Sequence, residues 1–234
     1  LIRKASLFLA AALLASQAGN AFAQDPTSTP ESPFAKQIHR LDLGITGVGI
    51  YNNTVSGPVL SKAASDYGTG NNSLTDYGSN TFGALITIRY VAKPYFGLEL
   101  NYGYARYTEN FAGPAVSTFA GSIFQVQSKV NEYTIGYIAT PQVFKPFGLQ
   151  PYLGAGAGSM AFKPTPHGGE GEPEQARMAY YYTVGLQQDL SPHFGLRVGF
   201  REAFFLDPDF GQNYLTNLKH ATTYEPQAGF YLRY

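Results

Sequence analysis

From residue 40 onward, apolar side chains recur at every second position in eight separate stretches. Segment 40–51 sets Leu41, Leu43 and Ile45 against Arg40, Asp42, Gly44 and Thr46. Segment 81–90 sets Phe82, Ala84, Ile86, Ile88 and Tyr90 against Gly83, Thr87 and Arg89, and 97–107 sets Leu98, Leu100, Tyr102 and Tyr104 against Glu99, Asn101, Gly103 and Ala105. In 130–140, Tyr133, Ile135, Tyr137 and Ala139 oppose Glu132, Thr134 and Gly136. The pattern is weakest in 149–162, where Leu153, Ala155 and Ala157 face away from Tyr152, Gly154, Gly156 and Gly158. It returns in 176–189 (Met178, Tyr180, Tyr182, Val184 and Leu186), 194–200 (Phe194, Leu196, Val198 and Phe200) and 223–234 (Ala228, Phe230, Leu232 and Tyr234). A period of two marks a strand with two unlike faces, and no stretch beyond residue 23 keeps helical spacing over three turns. The expected class is all-β, with eight strands.

The connections alternate in length. Long ones at 52–80, 108–127, 163–175 and 201–222 are rich in Gly, Asn, Ser, Thr, Asp and Pro, while 91–96, 141–148 and 190–193 are short and each holds a proline. Four long loops on one rim and three short turns on the other describe an eight-stranded antiparallel up-and-down barrel of the outer-membrane kind. About 10 residues at ~3.3 Å each, tilted ~45°, cover roughly 23 Å along the membrane normal, close to the ~25 Å apolar band of such barrels. Closure also removes the unpaired sheet edge, which hydrocarbon does not tolerate.

Periodicity alone leaves open which face points outward. A lipocalin-like soluble barrel would bury its apolar face around a ligand. The second face here, however, is Gly, Ala, Thr and Tyr with few charges, which is a poor surface for water and a good filling for a narrow lumen. Arg40, Asp42, Arg89, Glu99, Glu132, Arg197 and Arg233 fall on that face and are expected to pair within the lumen, because an unpaired buried charge is costly. Tyr90, Tyr102, Tyr104, Tyr133, Tyr180 and Tyr234 fall on the apolar face near strand ends, as an interfacial aromatic girdle.

Composition sharpens this picture. Only 14% of the 234 residues are charged, against about 25% in ordinary soluble domains. Tyr and Phe number 18 and 17, so the aromatic girdle has ample material even though Trp is absent. With no Cys, disulfide scaffolds, thiolate metal sites and cysteine nucleophiles are excluded. Arg3 and Lys4, the apolar run 7–15 and Ala21-Phe22-Ala23 read as a secretory signal peptide over 1–23, cleaved after Ala23. Its removal leaves 14 basic residues against 16 acidic ones, a formal charge of −2, and no basic patch that asks for nucleic acid. The proline-rich 24–39 reads as an extended periplasmic lead-in to a barrel over 40–234.

The final segment resembles the C-terminal signal of outer-membrane barrels: Gln227 and Gly229, then Leu232, then the terminal aromatic Tyr234. In that family the barrel-assembly machinery reads the motif, so the resemblance implies that partner, with periplasmic chaperones on the way. From about Arg40 the chain resembles the small eight-stranded barrels, among them the OmpA barrel domain, OmpX, OmpW and the lipid A enzymes PagP and PagL. Outer-membrane location, lipid and lipopolysaccharide contact and a monomeric state are what this resemblance implies. With no sequence after Tyr234, a peptidoglycan-binding role is not expected.

Chemical motifs are sparse. His39, His167, His193 and His220 lack metal-ligand spacing and the His-x-Ser pattern of a PagL-like deacylase, and are read as solvated loop residues. His167, His220, Asp207 and Ser122 could converge as in a PagP-like acyltransferase, although nothing in their spacing asks for it. Gly154-Ala155-Gly156-Ala157-Gly158 fits a lumen-facing row better than a phosphate loop, and Asp207, Asp209 and Asn213 around Gly211 lack the terminal Glu of a calcium loop. No catalytic residue, metal or cofactor is expected. Three roles follow in order: a non-enzymatic barrel acting through its outer loops, a narrow solute channel as in OmpW, and a lipid A-modifying enzyme.

Overall fold

The structure is a computed structural model and describes residues 37–59, 73–113, 123–141, 148–212 and 214–233. The expected signal peptide, residues 24–36 of the lead-in, and Ser122, Asn213 and Tyr234 lie outside the described residues.

Ten strands form in chain order: β1 (Leu41–Asn52), β2 (Val55–Pro58), β3 (Ser73–Gly78), β4 (Thr81–Lys93), β5 (Phe96–Ala112), β6 (Ile123–Ala139), β7 (Gln150–Pro164), β8 (Gln175–Ser191), β9 (Phe194–Leu206) and β10 (His220–Arg233). Each of the eight sequence segments becomes one long strand. Antiparallel ladders run from β4 through β10, β10 pairs with β1, and β1 returns to β4. The barrel is therefore closed with eight strands, and its wall leaves no edge for hydrocarbon to meet. The short connections of the sequence follow β4, β6 and β8, and in outer-membrane barrels the short connections face the periplasm.

The outer ends depart from the pattern read in sequence. Residues 108–112 and 123–127 were expected in a loop, yet β5 runs to Ala112 and β6 starts at Ile123, with Glu109↔Val126 and Phe111↔Phe124 in register. β9 likewise continues past Phe200 to Leu206. The reason is a reversal of faces along single strands. Within the membrane, Leu98, Leu100, Tyr102 and Tyr104 of β5 point outward; farther up, Tyr107 and Phe111 point inward and are buried. On β6, Tyr133 and Ile135 point outward while Val126 and Val130 point inward. The apolar parity flips where lipid gives way to water, so a search for one unbroken alternation stops at the membrane boundary.

The expected loop 52–80 also holds structure. β2 and β3 pair as a hairpin, and β3 joins the outer end of β5 from Gly78↔Glu109 to Thr75↔Ala112. The β4–β5 ladder ends at Ala84↔Tyr104, so the hairpin takes over from β4 as the neighbour of β5 above the membrane.

Candidate functional site

The inward face is filled in tiers. At the periplasmic mouth Arg233 pairs with Asp189 at 3.2 Å, and the Tyr231 hydroxyl donates to the same carboxylate at 2.5 Å. Above it, Arg197 reaches Asp42 at 3.2 Å and Gln187 at 3.2 Å, and Arg89 pairs with Glu99. The Tyr152 ring lies against both guanidiniums, 4.5 Å from Arg89 and 5.7 Å from Arg197, while the Tyr231 ring lies 4.6 Å from Arg197. Planar, weakly hydrated guanidinium suits such a dry stack better than ammonium would.

A bridging tier follows. Thr87 donates to Asn101, whose amide donates to Glu99 at 2.8 Å and to the Tyr181 hydroxyl at 3.0 Å; that hydroxyl donates to Glu99 at 3.1 Å. Arg201 then pairs with Glu132, bonds Glu225 at 2.6 Å and stacks on Tyr181 at 4.2 Å. Thr134 and Thr223 donate to the two glutamates. All three guanidiniums and the four carboxylates Asp42, Glu99, Glu132 and Glu225 are buried. Such burial is tolerable only because each charge has an opposite partner and further hydrogen bonds.

Glycine makes room for the stack. A Cβ at Gly199 would overlap the Tyr152 hydroxyl, one at Gly195 the Tyr231 ring, and one at Gly136 the Tyr181 hydroxyl. Small inward residues on one strand thus accommodate large tyrosines from another, which is how a narrow barrel fills completely.

Above Arg201 the lumen turns apolar. Tyr107, Phe111, Val126, Val130, Met160, Phe162 and Phe205 form a buried cluster capped by Leu74 of β3 and by Phe210 and Leu215 of the last loop. Phe162 packs against Phe205 at 5.5 Å and Tyr107 at 6.4 Å, and Phe111 meets Phe210 edge-on at 6.3 Å. A cavity of ≈ 30 Å³ lies between the tiers, lined in part by Val48, Leu85, Tyr107, Glu132 and Glu225.

The last loop is clasped to the mouth through Asp209. Its carboxylate accepts from Gln175 at 2.6 Å, the Gly211 N–H at 3.0 Å, Thr216 at 2.9 Å and Arg177 at 2.8 Å. Partial burial opposes its charge, but these donors hold it below the usual carboxyl range. Phe210 adopts a left-handed φ of 49°, held there by complete burial and by its N–H on the Gln175 side-chain oxygen. Beside this clasp, Asp76, Glu109 and Asp207 are buried together, with Asn217 donating to Asp207 at 2.6 Å. Burial first, then Glu109 and Asp207, pushes the Asp76 carboxyl well above its usual range; burial likewise raises Asp207.

Six of the seven charges expected inside lie on the inward face, with Arg233 at its rim. Arg40 does not join them: it is exposed in the turn before β1, where its backbone N–H donates to the Gln37 carbonyl at 3.1 Å and its carbonyl accepts from Val91 N–H at 2.9 Å. Arg201 and Glu225 are central to the network yet absent from the sequence expectation: Arg201 lies just past the end of segment 194–200, and Glu225 lies within segment 223–234 but ahead of its apolar alternation, which starts at Ala228. Arg201 shares the parity of Arg197, and Glu225 that of Gln227, Gly229 and Arg233, so parity alone places both on the inward face.

Tyr102, Tyr104, Tyr133 and Tyr180 are exposed on the outer wall, and Tyr90 lies there near the periplasmic end, donating to Gln37. Tyr137 and Phe96, 6.0 Å apart, extend the periplasmic belt, while Tyr51, Tyr182 and Tyr224 extend the outer one. Of the C-terminal motif, Gln227 turns inward and donates to Thr183 at 3.1 Å, Gly229 lies opposite Thr46, and Leu232 faces outward.

His39, His167, His193 and His220 are all exposed. His193 lies 3.2 Å from the Arg233 carbonyl across the periplasmic turn. Among the described residues, no hydrogen bond links His167, His220 and Asp207, and no group of three or more His or acidic residues could hold a metal ion. The donor set of Asp209 makes it a loop clasp.

Two solved structures share the fold. The chain is 14% identical to Neisserial surface protein A, with a TM-score of 0.50 over 82% of this chain and 97% of that one. It is 12% identical to the outer membrane protein OprG from Pseudomonas aeruginosa, with a TM-score of 0.53 over 83% and 95%. Compared by sequence with curated proteins, it finds no significant match. The outer membrane protein beta-barrel domain family matches residues 7–219, and the chain belongs to that family of outer-membrane barrels.

Proposed function

We propose that this chain is a non-conducting, non-enzymatic outer-membrane barrel that acts at the cell surface, its wall a rigid mount for the outer loops and the β2–β3 hairpin. The observation that carries this reading is the filled lumen: two tiers of Arg–carboxylate pairs interleaved with tyrosines, then an apolar core above them. A cavity of ≈ 30 Å³ holds a couple of waters and no hydrated ion file. Export by a signal peptide cleaved after Ala23, assembly by the barrel-assembly machinery with periplasmic chaperones, and a monomeric state in the membrane belong to the same reading. Recording from the purified protein in planar bilayers tests it. A flat trace across the voltage range is expected; stable openings of defined size would favour a narrow channel instead.

A further inference from the structure

On the outer wall of β5, β6 and β7, the apolar band ends in three cations abreast. Arg106 is in register with Lys129, and Lys129 with Lys163. All three are exposed and point outward. Partners on neighbouring antiparallel strands lie about 5 Å apart, and like charges directly opposite one another are destabilising. Little on the protein offsets them. Lys163 has Glu174 at 3.5 Å, both side chains more than half exposed, and Arg106 donates to the neutral Gln127 at 2.5 Å. Among the described residues, neither Arg106 nor Lys129 has a carboxylate within ion-pair reach. The outward positions in the outer half of β9, β10, β1 and β4 include Glu202, Phe204, His220, Thr222, Tyr224, Tyr51 and Phe82 and hold no Lys or Arg, so the row of Lys and Arg marks one sector of the wall.

Its height is informative. From Phe96 to Arg106, at ~3.3 Å per residue and ~45° tilt, β5 rises roughly 23 Å, the thickness of the apolar band. The row therefore stands at the level of the outer headgroups. Two outward positions below it, the Tyr102 and Tyr133 rings lie 5.2 Å apart in a tilted pair, and the Tyr102 hydroxyl donates to Asn131. Leading up to Lys163, β7 turns Ala155, Ala157, Ser159 and Ala161 outward. Larger neighbours flank this stripe in register: Tyr137, Ile135 and Tyr133 on β6, and Tyr182, Tyr180 and Met178 on β8. The result is a shallow apolar groove that ends in positive charge.

We propose that Arg106, Lys129 and Lys163 bind the phosphate-bearing headgroup of an outer-leaflet glycolipid, with an acyl chain lying in the groove over β7. The charge complements a phosphate, the position matches the headgroup plane, and the groove accommodates a chain that a soluble anion lacks. The inference rests on the outer-membrane location and is independent of whether the lumen conducts, so bilayer recordings and the test below fail separately.

The test is native mass spectrometry of the detergent-purified protein titrated with bisphosphorylated lipid A, with its dephosphorylated form, and with inorganic phosphate. The wild type is expected to hold one lipid A. The R106Q/K129Q/K163Q variant, whose exposed positions leave the fold intact by heat-modifiable gel mobility, is expected to bind roughly a hundredfold more weakly. Equal binding by variant and wild type, or equal binding of the dephosphorylated lipid, would overturn the site. Displacement of lipid A by millimolar inorganic phosphate would overturn the lipid assignment. Should the triple variant not fold, K129E alone, with binding of the wild type followed against salt, gives the same decision: salt-insensitive binding retained by K129E sinks the proposal.

Discussion

The lower and upper lumen are lined by the same strands yet filled in opposite ways. At membrane height the inward face carries Arg89, Arg197 and Arg201 with their carboxylates and tyrosines, while the outward face is Leu, Ile, Val and Tyr. Above the membrane the inward face is Phe111, Val126 and Phe162, while the outward face carries Gln125, Gln127 and Lys129. The medium outside decides which face must be apolar. Facing lipid, the wall has spent its apolar side outward, and polar groups inside must satisfy one another; facing water, it closes over an oily core as a soluble barrel does. The two halves should therefore respond to different damage, charge removal below and volume removal above.

The largest effect is expected at Arg201. Replacing it with Ala strips the guanidinium from between Glu132 and Glu225 and from the face of Tyr181. Breaking a buried ion pair by removing one partner costs about 3–5 kcal/mol, and here two carboxylates lose their cation together. Urea unfolding in micelles, read by gel mobility, should show this loss. The R201M/E132Q/E225Q variant should recover most of it, since removing all the charges together leaves none unpaired. If the triple variant is as unstable as R201A, the deficit arises from packing, and the contrast between the two lumens fails.

Next comes volume in the upper lumen. Leu74 of β3 is fully buried beneath the hairpin, within the cluster that holds Phe111 and Phe210. Leu74→Ala is expected to cost about 2–5 kcal/mol. Because the barrel wall closes without β2 and β3, the loss should appear as early proteolysis around the hairpin with the lower barrel still resistant. Cleavage spread evenly over both regions would mean that the halves unfold as one unit.

What could be read from the sequence follows the same division. Around Leu98–Tyr104 and Leu196–Phe200, strong alternation against charged or glycine partners announced strand, face and lumen charge together, because lipid tolerates no exception on its side. Arg201 and Glu225 give no such signal, because they lie at the level where outward positions turn polar and the contrast fades. Phe111 and Phe124 sit where the parity has already reversed, so they read as loop aromatics. β2 and β3 were hidden for another reason: strands of 4 and 6 residues show too few alternations for periodicity to register, and their pairing is set by contact with β5. Arg40 departs the other way: it keeps the parity of Asp42 but lies in a turn, one residue before β1 begins.

The smallest expected effect joins the two kinds of filling, at a polar cluster beside the apolar cap. Asp76 lies on β3 with Glu109 and Asp207 against it, and burial together with those neighbours raises its carboxyl well above the usual range. Folded Asp76 therefore holds its proton to higher pH than the unfolded chain does. The stabilisation this gives hairpin docking is fully present below the ordinary Asp range and is lost as pH rises through the elevated value. Amide NMR signals of β3 should accordingly broaden or shift as pH is raised above the ordinary Asp range, while those of the β8–β9 ladder stay fixed. Asp76→Asn keeps a neutral side chain of the same shape and should hold the β3 signals nearly constant over the same rise in pH. If the variant titrates as the wild type does, the pH response belongs to Glu109 and Asp207, and docking of the hairpin depends on the apolar cap alone.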